Sequence, residues 1–422
     1  MKAQVKLWII FVLSVVGVRS TLAQIAFPEV PAESQDPPVQ QPVTGLEVAA
    51  APPPAIFPDW HEVARPEDAV EYAVDLQSPY PSRFESNNVL PLRVLLPEPR
   101  TAPVPVVLIL HYWGASDLRA ERSFAVELNR RGIGAAIMTL PYHLSRTPAG
   151  RRSGELAVEP DPDRLRRVML QATWDARRCV DFLAGRPEIR TDRIGLMGTS
   201  LGGVVAALVY AVEPRISDVA FVVGGIDLAG ILWNSSRVVP QRDELRRKGY
   251  TEPRLREELE AVEPGNYLPR QAPGRSFVIA GRHDTVIPRA STEALLSKLQ
   301  EPQVLWLDTG HYGGIFVQRR LLREVARFFE TEFGGGAYKA PPRLVAPTIR
   351  IGVKYDALLG PDLGIGVDLI RFDGRGENFL TAFATPSSVQ FVLARRIAQG
   401  FAVATTASTR GFGFGIFWSA VL

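Results

Sequence analysis

One stretch constrains this chain more than any other. It runs Arg193-Ile194-Gly195-Leu196-Met197-Gly198-Thr199-Ser200-Leu201-Gly202-Gly203. The apolar run predicts a strand. The residues after it, Val204, Val205, Leu208 and Val209, recur at helical spacing. Strand, Gly198-Thr199-Ser200-Leu201-Gly202 and helix together are the context of a nucleophile elbow. On so sharp a turn the serine sits in strained backbone space. Small residues two positions either side let strand and helix approach closely. The pattern alone is weak, because Gly, Ser and Thr are common in loops, and an ordinary strand-to-helix turn is the alternative. What decides is whether a base, an acid and oxyanion donors occupy other strand ends.

The flanking sequence alternates strands with helices. Pro81–Pro97 predicts early, partly exposed strands. Val104–Leu110 reads as a strand buried on both faces and ends in His111-Tyr112-Trp113-Gly114. A helix over about Leu118–Arg131 and a strand over Ile133–Leu140 follow, the latter running into Pro141-Tyr142-His143. Arg146–Pro160 reads as loop. Asp161-Pro162-Asp163 has helix-start chemistry, and apolar residues at 3–4 spacing carry that helix to Ala184. Past the elbow, Val219–Val223 predicts a strand ending at Asp227. Residues 228–273 break the rhythm and have the length of a lid-like insertion over the sheet's carboxyl edge. The alternation resumes with strand Ser276–Ala280, turn Gly281-Arg282-His283-Asp284, helix Arg289–Leu299, strand Val304–Leu307, loop Asp308-Thr309-Gly310-His311 and helix Ile315–Phe333. This order predicts an α/β fold with a mainly parallel sheet and helices on both faces. Ligands of such sheets bind beyond the carboxyl ends of the strands.

Composition excludes several classes. The 422 residues carry a net charge of only +3, spread over helices, which argues against a nucleic-acid partner. The single cysteine, Cys179, lies in a helical apolar pattern and reads as core, and no intrachain disulfide is possible. The five histidines show no metal-ligand spacing, so neither metal nor cofactor is implied. At the amino terminus, Lys2 and Lys6 precede an apolar run from Leu7 to Val18 and a small-residue site ending at Ala23. This predicts a signal peptide over 1–23 and export to periplasm or medium, an uncleaved anchor being the alternative. Residues 24–60 are proline-rich and read as an extended linker ahead of a domain over 61–333.

Ser200 requires a base, and that base an orienting acid. His283 and His311 follow it in the chain. His311 lies on a glycine-rich loop after a strand, and Asp284 follows the preceding strand. Residues 80–333 resemble the α/β-hydrolase superfamily, especially its dienelactone-hydrolase-like and prolyl-oligopeptidase-like esterase branches. The resemblance rests on Asp175 to Gly203 as helix, strand and elbow, and on Gly281-Arg282-His283-Asp284-Thr285-Val286-Ile287-Pro288 as acid loop. It implies Ser200 as nucleophile, His311 as general base and Asp284 as orienting acid. It further implies an oxyanion hole from the N–H of Leu201 and that of Tyr112 or Trp113. Tyr112 departs from the glycine common there. Asp227 is the alternative acid, while His111, His143 and Trp233 are candidates to shape or line the pocket. The resulting expectation is an exported serine esterase acting on a small-molecule ester. Peptide, amide or thioester hydrolysis on the same triad is the alternative, as is a non-catalytic protein working through its carboxyl-terminal region.

That region, 334–422, changes style. Period-2 alternation at Ile349-to-Tyr355, Leu363-to-Leu369 and Phe412-to-Trp418, with intervening turn signals, predicts five or six antiparallel strands. One reading is a small β-domain packing its apolar face on itself or on the hydrolase. The other notes segments of about ten residues similar to outer-membrane barrel strands. A barrel of that kind has at least eight strands, so this piece would need oligomerisation to associate with a membrane.

Overall fold

The computed structural model describes residues 43–66, 68–269, 275–342, 344, 347–357, 360–372, 378–398, 400–409 and 411–421. The expected signal peptide and the start of the linker lie outside the described residues, as does the Asp373-Gly374-Arg375-Gly376 turn.

In chain order the first part comprises α1 (Gly45–Ala49), β1 (His61–Ala64), β2 (Ala69–Gln77), α2 (Glu85–Asn88), β3 (Val89–Pro97), β4 (Val104–Leu110), α3 (Arg119–Asn129), β5 (Gly134–Met138) and α4 (Pro162–Ala184). Then come β6 (Ile189–Thr199), α5 (Leu201–Val212), β7 (Ile216–Val222), α6 (Leu228–Asn234), α7 (Val239–Arg247), α8 (Glu252–Glu258), β8 (Arg275–Gly281), α9 (Arg289–Lys298), β9 (Gln303–Leu307) and α10 (Gln318–Phe333). They build a nine-stranded sheet in the order β1-β2-β3-β5-β4-β6-β7-β8-β9. The first four strands of that order pair antiparallel and the rest parallel. The buried β4 run Val106–Leu110 lies centrally, between β5 and β6, as continuous apolar sequence requires. Helices α4 and α5 pack together on one face, α3 and α10 on the other, each face with its own apolar cluster. The α4 start follows its sequence: Asp161 accepts from the N–H groups of Asp163 and Arg164, with Pro162 in the first turn.

Residues 43–60 differ from the expected loose linker. Val43 and Val48 are buried, Thr44 and Glu47 form a capping box on α1, and Phe57 meets Phe182 edge-on at 5.6 Å. The indole of Trp174 donates to the Glu47 carbonyl at 3.0 Å, and Arg178 donates to that of Pro53 at 2.6 Å. The Pro52-Pro53-Pro54 run ends regular structure after α1 but does not forbid burial. The spaced apolar side chains strap the segment along α4.

After α10 the chain returns along the sheet. Tyr338 is buried against Phe277 and Phe328, and Leu344 bridges Leu307 in parallel. Six antiparallel strands follow: β10 (Ile349–Asp356), β11 (Gly360–Arg371), β12 (Asn378–Ala384), β13 (Val389–Ala398), β14 (Phe401–Ser408) and β15 (Gly411–Val421). β10 pairs with β15, so the sheet closes into a barrel within one chain. Oligomerisation is therefore not what closes it. Glycines at inward positions let six strands curl this tightly: a Cβ at Gly364 would overlap the Ala384 carbonyl, and one at Gly415 that of Tyr355. The apolar face packs neither on itself nor on the sheet domain. It faces out, with Leu363 62% and Phe412 84% exposed.

Candidate active site

The elbow positions the site. Ser200 links β6 to α5 with φ 55° and ψ −115°, a conformation that costs an ordinary residue of order 1–3 kcal/mol. Its surroundings hold it there. The Ser200 N–H donates to the Val222 carbonyl at 2.9 Å, and a Cβ at Gly198 would overlap the backbone of Gly202. Ser200 Oγ lies 2.9 Å from His311 Nε2, and His311 Nδ1 lies 2.7 Å from Asp284 Oδ2. Asp284 is itself oriented, its Oδ1 accepting the N–H groups of Val286 and Ile287 at 2.8 and 2.9 Å. All three residues stand at carboxyl ends of parallel strands: β6, β8 and β9.

Asp227 is not part of this relay. In the left-handed region at φ 70°, it caps α6 by accepting from Gly230 N–H at 3.0 Å, and it pairs with Arg256. The cap and the guanidinium occupy the carboxylate that an orienting acid would offer to the base. Asp308 pairs with Arg282 at 2.9 Å.

The loop after β4 approaches the elbow from the other side. A Cβ at Gly202 would overlap the carbonyls of Leu110 and His111. His111 and His143 are fully buried and line no open pocket. Instead they brace this loop. Leu140 N–H donates to His111 Nε2 and Gly114 N–H to His143 Nε2, both at 3.0 Å. Their Nδ1 atoms lie 2.8 Å from the carbonyls of Tyr112 and Pro141. Burial pushes the His111 pKa down to about 3, with neighbouring His143 adding to the effect, and burial pushes His143 down to about 4. Both rings are therefore neutral at physiological pH and able to accept.

Residues 171–336 match the prolyl oligopeptidase family. An uncharacterized protein of Mycobacterium tuberculosis, matched in two strains, is 30% identical over 196 residues, which cover 46% of this chain and 45% of the relative. The chain thus spans about half the length of the curated relatives it matches. Among solved structures, an acetyl xylan esterase from Paenibacillus sp. R4 superposes with a TM-score of 0.52 at 18% identity, over 64% of this chain and 87% of that one. The family match covers β6 to β9 of the sheet and the helices between them. The chain contains an α/β-hydrolase domain.

Around the elbow of this hydrolase domain the sequence left several residues unmarked. Arg146 belongs to a stretch read only as loop, yet it is wholly buried. It pairs with Asp175 of α4 at 2.7 Å and donates to the carbonyls of Asn87 and Thr139. The loop it pins supports Trp113, whose indole N–H donates to the Gly154 carbonyl at 2.7 Å. Ser153 Oγ donates to the Ala115 carbonyl at 2.6 Å. No spacing in the sequence announces a buried arginine that pairs across nearly thirty positions.

The insertion in the hydrolase domain reaches the site through its α6–α7 loop. Ser236 N–H donates to the Thr285 carbonyl at 2.7 Å. Arg237 lies over the Trp113 ring at 5.2 Å and donates to the Tyr312 hydroxyl at 3.1 Å. It thus spans from the loop after β4 to the neighbour of His311. Trp233 sits on the insertion under the Arg246 guanidinium at 4.9 Å, partly buried and packed against the apolar core.

Proposed function

We propose that the protein is a serine hydrolase of carboxylic esters, with Ser200 as nucleophile, His311 as general base and Asp284 as the orienting acid. The continuous chain Ser200 Oγ–His311 Nε2, His311 Nδ1–Asp284 Oδ2, at 2.9 and 2.7 Å, carries the reading. His311 takes the Ser200 proton as Oγ attacks the ester carbonyl carbon. The carbonyl π electrons move to oxygen, and a tetrahedral oxyanion forms. Its collapse expels the alcohol, which receives the proton from His311. Water, deprotonated by His311, then attacks the acyl-enzyme and releases the acid and free Ser200 by the same path.

Two N–H groups serve the oxyanion. Leu201 opens α5, where the first N–H groups lack intrahelical partners and the helix end is positive. Of the two residues after His111, Trp113 is the better donor. The Tyr112 carbonyl is held by His111 Nδ1, and in a trans peptide the next N–H, that of Trp113, points the opposite way. Each such donor is typically worth about 3–4 kcal/mol in the transition state. The esterase name of the Paenibacillus structure supports an ester over a peptide. The basic and apolar amino terminus supports action outside the cytoplasm.

The test is p-nitrophenyl acetate hydrolysis by the wild-type protein and by Ser200→Ala, with fluorophosphonate labelling of both. Turnover and labelling that vanish together in the variant support the reading. A wild-type rate equal to that of Ser200→Ala would sink it.

A further inference from the structure

The carboxyl-terminal barrel is inverted relative to a soluble fold. Outward positions on all six strands are mostly apolar, as Tyr355, Ile365, Leu380, Phe391, Phe401 and Phe414 illustrate, one from each strand in turn. Inward positions carry charge. Arg350 is 2% exposed and holds Asp368 through two bonds of 2.6 and 2.9 Å, and Lys354, 1% exposed, lies 3.4 Å from Asp356. Among the described strand side chains, Arg395 is the charged one that faces out. Such a belt around a monomeric soluble domain far exceeds the scattered apolar residues that water tolerates.

We propose that this barrel, closed with six strands rather than the eight or more of single-chain outer-membrane barrels, inserts into a lipid bilayer and holds the hydrolase domain at the membrane surface. Three features favour lipid over a second copy of the chain. A partner protein covers one side of a barrel, whereas this belt runs round every strand. Closure through β10 and β15 leaves no unpaired edge, the condition for backbone in hydrocarbon. The strands are seven to twelve residues long. At roughly 3.3 Å per residue and a tilt of about 45°, that length brackets the ~25 Å apolar band of membrane barrels.

The topology orients the anchor. β10 enters the barrel from the hydrolase side, and the β15 strand ends on that same side. Arg395 lies near that end, opposite Asn378 and Val403, where its guanidinium reaches the headgroup layer. The lumen is filled: Phe379, Phe383 and Phe417 are buried together, and Arg350 lies over the Phe379 ring at 3.6 Å. The barrel therefore anchors and does not conduct.

The experiment folds the full chain in the presence of dioleoylphosphatidylcholine vesicles and reads flotation. Trp418, the one tryptophan after residue 306, faces out from β15 and is 37% exposed. Lipids brominated on the acyl chains should quench part of the wild-type tryptophan emission. That quenching should be lost in Trp418→Phe, which still floats. Ile365→Asp combined with Phe391→Asp should abolish flotation while the wild-type chain floats. A wild-type chain that stays unbound overturns the proposal, and so does one that associates with itself through the belt and leaves nothing to float. Flotation with equal quenching in Trp418→Phe also overturns it.

Discussion

His111 and His143 stand edge to face, ring centroids 4.8 Å apart, beneath the loop that carries Tyr112 and Trp113. Each ring accepts a backbone N–H at Nε2, so each carries its proton on Nδ1 and donates to a carbonyl. The pair thus sets the direction of two successive peptides of the loop. Gly154 completes the arrangement: at φ 78° it lies so close that a Cβ would press on His143 Nε2 and the Trp113 ring. Two buried, neutral imidazoles thus hold the loop after β4 in place beside the elbow.

His143→Ala should therefore act on kcat rather than KM. Releasing Gly114 N–H lets the loop shift, and a misplacement near 1 Å costs on the order of 10²-fold in rate. Steady-state kinetics on p-nitrophenyl acetate, with fluorophosphonate labelling still complete at long times, is the check. A rise in KM at constant kcat would assign His143 to binding instead.

Asp284→Asn should be far more damaging than Asp227→Asn. The asparagine Oδ1 keeps the Val286 and Ile287 N–H bonds, while its amide N–H faces His311 Nδ1 and forces the proton onto Nε2. A base with its proton on the wrong nitrogen cannot take one from Ser200, and losses near 10⁴ in kcat follow from that tautomer in serine hydrolases. Asp227→Asn weakens a helix cap and the Arg256 pair and should leave kcat within about threefold. Parallel kcat measurements on the two variants decide between the acids.

The contrast between these two aspartates shows what the sequence carries. Apolar runs and helix starts are local, so β4, β6, α4 and the elbow at Ser200 read directly. Chain order brought Asp284 and His311 together because each follows a parallel strand. Asp227 also follows such a strand, and only its side-chain direction, set by Gly230 and Arg256, separates it. His111 read as a residue that shapes its loop by hydrogen bonding, but its partner Leu140 and the role of Arg146 were illegible for the same reason: they depend on partners about thirty residues away. In the barrel, period-2 alternation marked the strands. Which face is inside depends on closure, and closure is a long-range pairing of β10 with β15 that the alternating glycines alone do not announce.

Glu121 gives a pH signature. It lies in the first turn of α3, 2% exposed, and burial, with Asp117 adding, pushes its carboxyl up to about 7. The folded state then binds a proton that the unfolded state has already released, so stability falls as pH rises from about 4.5 to about 7 and stays lower above that. The penalty is on the order of 3 kcal/mol at most. Glu121→Gln should raise the Tm at pH 8 and leave it nearly unchanged at pH 4.5. Melts of both proteins at the two pH values measure the difference, and an equal gain at both would show that charge is not the cause.

Arg146 and Asp175 form a fully buried ion pair beside the site, both side chains at 0% exposure. Burial alone pushes the Asp175 carboxyl up, while the guanidinium and the Ser78 hydroxyl, 2.6 Å away, pull it back. Asp175→Asn keeps an acceptor for Ser78 but strands the guanidinium among buried groups. Breaking a buried pair this way costs about 3–5 kcal/mol. Replacing both residues with apolar ones, Arg146→Met with Asp175→Leu, should recover only part of the loss. The carbonyls of Asn87 and Thr139 would then lose the donor that satisfies them, at about 1–3 kcal/mol for each group left unpaired. Urea denaturation midpoints for the wild type, the single variant and the double variant test the order. Full recovery in the double variant would mean that Arg146 serves the charge pair alone and that the loop under Trp113 is held by other contacts.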